Sequence, residues 1–172
     1  LLAAAVGRVM GLDWDSIVEG LRTVELPGMR LERMDLDGVT VFNDAYNANP
    51  VSMRAALQTL AARGRQGRRL LAALGEMREL GAKADEAHRE LGREAVRCGV
   101  SDLFLMGPSA ALTAEGAREA GLASEKIHLA GSADELAEAL DRCARAGDVV
   151  LVKGSRDARM EQVIAAWKRR KA

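Results

Sequence analysis

The sequence shows no surplus of charge, few cysteines, no long apolar run and none of the common phosphate-binding signatures, and each shortage removes a class of function. Its 25 basic and 25 acidic residues cancel. No long block of one sign appears, so neither a nucleic-acid footprint nor a polybasic membrane anchor is in view. No stretch approaches the ~20 consecutive apolar residues of a membrane span. Cys98 and Cys143 are the only cysteines. They fall at helix-like positions without metal-ligand spacing and read as small apolar residues in a reducing compartment. A G-x-x-x-x-G-K-S/T phosphate loop is missing, as are a G-x-G-x-x-G fingerprint, a nucleophile elbow and paired metal ligands.

What is present suffices for one domain with an appendage. The 172 residues are 48% hydrophobic and 29% charged, enough to build a core and coat it. The opening "LLAAAVGRVMGL" has no basic start and no small-residue cleavage site, and it continues as a helical pattern rather than a signal peptide. The first residue is Leu1, inside that pattern, and the chain is expected to be a piece of something longer. These readings place it in the cytoplasm.

Two helices are expected at 2–11 and 14–24, the second with Trp14, Ile17, Val18 and Leu21 on one face. "ELPGMR" then makes the clearest break, and Pro27-Gly28 is taken as the domain boundary and a natural hinge: residues 1–27 on one side, 28–172 on the other. Beyond it "RLERMDL" and "VTVFN" flank Asp37-Gly38, a two-residue hairpin signal. Apolar runs follow at 69–75, 102–107, 126–130 and 148–154, separated by helical patterns at 50–64, 84–98, 110–120, 132–146 and 157–168. Such alternation predicts an α/β, Rossmann-like, mostly parallel sheet of about six strands, one of them hairpin-paired and antiparallel, with helices on both faces and a short helical segment in front. Asn49-Pro50 and Ser132 with Glu135 mark helix starts.

In such a sheet, ligands bind outside the carboxyl ends of the strands. Three exits are polar: "NDAYNAN" (43–49), "GEMRELG" (75–81) and "KGSRD" (153–157). Asn49 reads as a helix cap, whereas Asn43 and Asn47 suit either turn formation or ligand contact. A carboxylate at the end of an apolar strand, Asp44, needs a donor to offset its desolvation. Tyr46, the only tyrosine, could cap the core edge or stack on a base. In "KGSR" the backbone of Gly154 and Ser155 with Lys153 and Arg156 fits either an anion nest or a solvated turn. His88 reads first as a satisfied buried histidine and second as a catalytic one, His128 as structural, and Glu76 as a weak contact for a cation or amine.

The segments "LPGMRLE" (26–32), "NDAYNANPVSM" (43–53), "LGEMRELG" (74–81) with His88, and "VLVKGSRDARME" (150–161) occur in the order seen in the Mur ligase family. The second resembles the D-S/A-Y-N-A-N-P-x-S-M signature of the branch that adds D-alanyl-D-alanine to UDP-N-acetylmuramoyl-tripeptide, with Ala45 where many members carry Ser. The diaminopimelate-adding members carry a D-N-P-R-type acceptor motif, which is missing here. The resemblance implies a bacterial cytoplasmic ligase of three domains, of which this chain would hold the last helices of the central ATPase (1–27) and the whole C-terminal domain (28–172). The N-terminal and central domains would be partners in the same enzyme.

It further implies that ATP phosphorylates the tripeptide carboxylate and that the dipeptide amine attacks the acyl phosphate, with rate gained from positioning and electrostatic stabilisation. Arg30, Asp44, Tyr46 and Asn47 would face ATP, with Arg30 and Asp44 in supporting roles. Lys153, Ser155 and Arg156, then Glu76 and His88, would line the dipeptide pocket. The ligands of Mg2+ would lie mainly in the central domain, leaving this piece inactive alone. The competing reading is a free-standing Rossmann-like module that binds a nucleotide or peptide without catalysis.

Overall fold

The computed structural model describes residues 1–24, 28–64 and 67–171. Helices α1 (Leu2–Val9) and α2 (Trp14–Thr23) precede strands β1 (Glu32–Leu36) and β2 (Val39–Asp44). The order then runs α3 (Pro50–Arg63), β3 (Leu70–Leu74), α4 (Ala84–Arg97), β4 (Asp102–Met106), α5 (Ala110–Glu119), β5 (Ile127–Ala130), α6 (Ala133–Cys143), β6 (Val149–Lys153) and α7 (Glu161–Lys171). Every strand and helix expected from the sequence is present. Pro27 of the expected hinge lies outside the described residues.

Strand order across the single six-stranded sheet is β1-β2-β6-β3-β4-β5, with β1 antiparallel to β2 and all other pairs parallel. Asp37 and Gly38 both take positive φ, 53° and 78°, as a tight hairpin turn requires, and the Gly38 N–H donates to Asp35 Oδ1 at 3.0 Å. The three central strands are apolar at nearly every position because both faces of the sheet are covered. On one face α3, α4 and α5 pack Met53, Leu57, Leu91 and Ala117 against Phe42, Leu74 and Leu151. On the other, α6 and α7 pack Leu136, Leu140, Ile164 and Trp167 against Val41, Phe104, Val150 and Val152. Complete burial of one such leucine contributes about 1.5–3 kcal/mol.

Helix ends follow the cap chemistry. Asn49 accepts from the Ser52 N–H and Ser52 Oγ accepts from the Asn49 N–H, a reciprocal box with Pro50 in the first turn. Ser132 accepts from the Glu135 N–H, but Glu135 reaches the N–H of Gly131, one residue before the cap. Helices α4 and α5 touch backbone to backbone: a Cβ on Gly92 would strike the Thr113 carbonyl, and one on Gly116 the Arg89 carbonyl. Helix α7 begins later than the sequence pattern suggests, because a short 3-10 turn at Arg156–Ala158 and a left-handed Arg159 (φ 48°) precede it.

Helices α1 and α2 pack chiefly on each other, Ile17 against Gly7. Ile17 alone of the predicted face is buried; Trp14, Val18 and Leu21 are exposed, as are Leu2, Val6 and Val9.

Candidate functional site

The return of β6 between β2 and β3 places the three polar strand exits on neighbouring strands. Asp44, Lys153 and Leu74 stand in one row of the register, at the carboxyl ends of β2, β6 and β3. Backbone bonds join the loops that follow: the Gly75 N–H donates to the Lys153 carbonyl at 2.8 Å, and the Ser155 N–H to the Glu76 carbonyl at 2.9 Å. Gly75 and Gly154 face each other there. A Cβ on Gly154 would come within 2.6 Å of Met160 Cγ and 3.2 Å of Gly75 Cα, so the close approach of the two loops requires glycine.

Lys153 is turned inward. Its side chain is 3% exposed, and its ammonium donates to Asp44 Oδ2 at 2.6 Å and to the Asn47 carbonyl at 2.8 Å. The other Asp44 oxygen accepts from the Leu31 N–H at 3.0 Å. The donor that Asp44 needs is therefore Lys153, and the pair ties the segment before β1, the loop after β2 and the end of β6 into one rim. Asn43 is buried and makes turn bonds, accepting from the Ala45 N–H and donating to Glu32.

A cavity of about 570 Å3 opens above this rim, lined by residues 46–49, 78–80 and 155–157. Ser155 is among the lining residues and is 2% exposed, and its Oγ, buried just behind the cavity surface, has no hydrogen-bond partner among the described residues. A buried hydroxyl without a partner costs about 1–3 kcal/mol, and its position suits a ligand that supplies the bond. Arg156, on the same rim, bonds Glu161 at 3.2 Å and touches Met29 Sδ, with 57% of its side chain exposed. Asn47 is exposed, its Oδ1 accepting from the Ala48 N–H. The Arg30 guanidinium lies 4.2 Å from the centroid of the Tyr46 ring, and Tyr46 is 44% exposed. Met29 and Leu31, on either side of Arg30, both hold positive φ, as does Glu79 across the cavity; such backbone costs about 1–3 kcal/mol each and gathers at functional sites.

The Mur ligase glutamate ligase domain family matches residues 29–156. The chain belongs to the Mur ligase family. Two curated relatives, both UDP-N-acetylmuramoyl-tripeptide--D-alanyl-D-alanine ligases, are 33% identical over 165 residues (Bacillus subtilis) and 40% identical over 186 residues (Mycobacterium bovis). The matches cover 95% and 96% of this chain but only 36% of each relative, so the chain spans about a third of their length. Among solved structures, the MurF ligase of Thermotoga maritima in complex with ADP superposes with a TM-score of 0.77 at 27% identity, over 96% of this chain and 36% of that one. MurF from Acinetobacter baumannii gives 0.82 at 28%, over 93% and 35%.

Within this Mur ligase domain, Tyr46, Asn47, Ser155 and Arg156 meet around one cavity, with Arg30 stacked on Tyr46 beside it. Asp44 and Lys153 lie beneath. Glu76 and His88 do not line it. Glu76 sits 3.8 Å from Arg78 and 3.4 Å from Ser109. His88 is 1% exposed, accepts from the Met77 N–H at Nε2 (3.0 Å) and bonds the Ala84 carbonyl through Nδ1 (2.7 Å). Both ring nitrogens are engaged, which fixes the proton on Nδ1 and makes His88 the pin of the loop after β3. Sequence reasoning missed Arg78, Glu79 and Asp157, all lining the cavity. Their place in the polar exits was the only signal, and charged residues in loops are common.

Proposed function

We propose that this domain serves an ATP-dependent amide ligase that joins D-alanyl-D-alanine to UDP-N-acetylmuramoyl-tripeptide, supplying the lip that closes on ATP and the pocket that receives the dipeptide. The carrying observation is the shared cavity: an aromatic–guanidinium stack at one edge, and an unpartnered buried hydroxyl with two arginines on its lining.

In this reading ATP activates the tripeptide carboxylate, and the chain's own residues bind and orient. Tyr46 offers its ring to the adenine, and a base on it would gain about 1–3 kcal/mol from stacking. Arg30 extends beside it toward the phosphates, and Asn47 faces the closing nucleotide. Ser155 Oγ donates to the dipeptide carboxylate, with Arg156 and Arg78 supplying charge-assisted bonds. Asp157 and Glu79 accept from the amine end, holding the nucleophile in place. Lys153 and Asp44 act as positioning residues, since each already spends its charge on the other. Glu76 steers Arg78, and His88 holds the loop that carries it. Mg2+ would be held by the remainder of the enzyme, and the apolar exposed faces of α1 and α2 would pack on that remainder. ATP and UDP-linked substrates put the reaction in the bacterial cytoplasm.

The test is a chimera of the Bacillus subtilis relative in which this chain replaces the matching segment. D-alanyl-D-alanine should trigger ADP release, and Ser155→Ala or Arg156→Ala should raise the dipeptide KM at least tenfold. A chimera that binds ATP and the UDP-tripeptide yet releases no ADP on addition of the dipeptide overturns the reading.

A further inference from the structure

At the amino edge of the sheet, opposite the cavity, three donor atoms of different chemistry converge. Asp102 opens β4, His128 is the second residue of β5, and Cys143 closes α6. One carboxylate oxygen, one imidazole nitrogen and the thiol sulfur all lie within 4.8 Å of one another. Their separation in sequence hides the set, since no pair shows ligand spacing. The folding of three elements onto one edge creates it.

Two of the donors lack partners. Asp102 is 2% exposed, yet its Oδ2 accepts no hydrogen bond among the described residues; His128 Nε2 is buried and likewise unpartnered. The His128 ring cannot turn freely to find one, because it stacks on buried Phe104 with centroids 4.4 Å apart and planes 14° apart. Neighbouring cations stop short of satisfying the carboxylate: Lys126 Nζ is 3.4 Å from Oδ1 and Arg69 Nη1 3.7 Å from Oδ2. Arg69 donates to Asp148 at 2.8 and 3.3 Å and to the Cys143 carbonyl at 2.7 Å, and its Nη2 lies 3.8 Å from the Cys143 sulfur, a contact that a bound ion would replace. Lys126 is 46% exposed and free to swing outward.

We propose that Asp102, His128 and Cys143 bind a single borderline-soft divalent cation, Zn2+ by the chemistry of an O, N, S donor set. The fourth position is left to water. Binding forms a metal–sulfur bond and releases the thiol proton. The ion clamps edge strand β5, which is only partly covered, to β4 and α6, and it acts on stability rather than on the reaction.

The experiment uses the full chain, freed of any affinity tag and stripped with chelator. Added Zn2+ should raise Tm by roughly 5–10 °C at one hundred times Kd. Substituting Co2+ should give a thiolate-to-metal charge-transfer band, and X-ray absorption of the zinc form should show one sulfur among nitrogen and oxygen neighbours. The band should persist in Cys98→Ser and vanish in Cys143→Ser and His128→Gln. No zinc-dependent shift and no cobalt band in the unmodified chain overturns the proposal and leaves the three groups bridged by water. A band that survives Cys143→Ser overturns it equally.

Discussion

The Lys153 ammonium lies 2.6 Å from the Asp44 carboxylate, joining residues 109 positions apart across neighbouring parallel strands. Both side chains are largely withdrawn from water, 3% and 15% exposed, so each charge depends on the other for compensation. Removing one partner strands the other. Lys153→Met is expected to cost about 3–5 kcal/mol in urea unfolding. The double change Lys153→Met with Asp44→Leu is expected to recover much of that loss, because no lone charge is left buried.

Tyr46 is expected to separate binding from stability. The ring is exposed on the cavity rim, so Tyr46→Ala should change unfolding free energy by less than about 0.5 kcal/mol. In the chimera the same change should weaken ATP roughly tenfold or more, and Tyr46→Phe should keep the affinity. Equilibrium titration with ATP checks both.

Gly154→Ala tests the close approach of the loops after β3 and β6. The added methyl meets buried Met160 at 2.6 Å, and overpacking of this kind costs about 1–3 kcal/mol. Thermal unfolding should show the loss, and the dipeptide KM of the chimera should rise because Ser155 shifts with the loop.

Asp141 links α6 to α7 and gives stability a pH dependence. Its carboxyl is held below the ordinary carboxylate range, first by the hydrogen bond from Lys171 and then by that from Trp167; burial opposes both. A lowered folded pKa means that the contribution is complete above the unfolded value and is lost as pH falls through the folded one. The pair lies at the surface with 30% and 27% of its side chains exposed, so Asp141→Asn should cost about 1 kcal/mol at pH 7. The deficit should close in acid, as followed by Trp167 fluorescence in a Trp14→Phe background.

The strands and helices were legible in the sequence because their signals are local. The Asp37-Gly38 turn, the Asn49-Pro50 start and the apolar run at 148–154 each act over a few residues. The position of β6 between β2 and β3 was not legible, since strand order depends on which faces cover which neighbours. The same long-range fact decided the site. It gave Lys153 to Asp44 rather than to open solvent and brought Arg78 into the cavity beside Arg156, whereas the buried, satisfied state of His88 was legible from its place on the apolar face of α4. Ser155 was named from its motif, but its unpartnered hydroxyl appears only once the loop after β3 has closed over it.

The measurement that bears most directly on the central claim is an amide-resolved NMR titration of the chain with D-alanyl-D-alanine, using L-alanyl-L-alanine as control. The account predicts shifts confined to residues 46–49, 78–80 and 155–157 with the D,D-dipeptide, absent with the L,L-isomer and abolished by Ser155→Ala. Shifts located elsewhere, or the same response to both isomers, would contradict it.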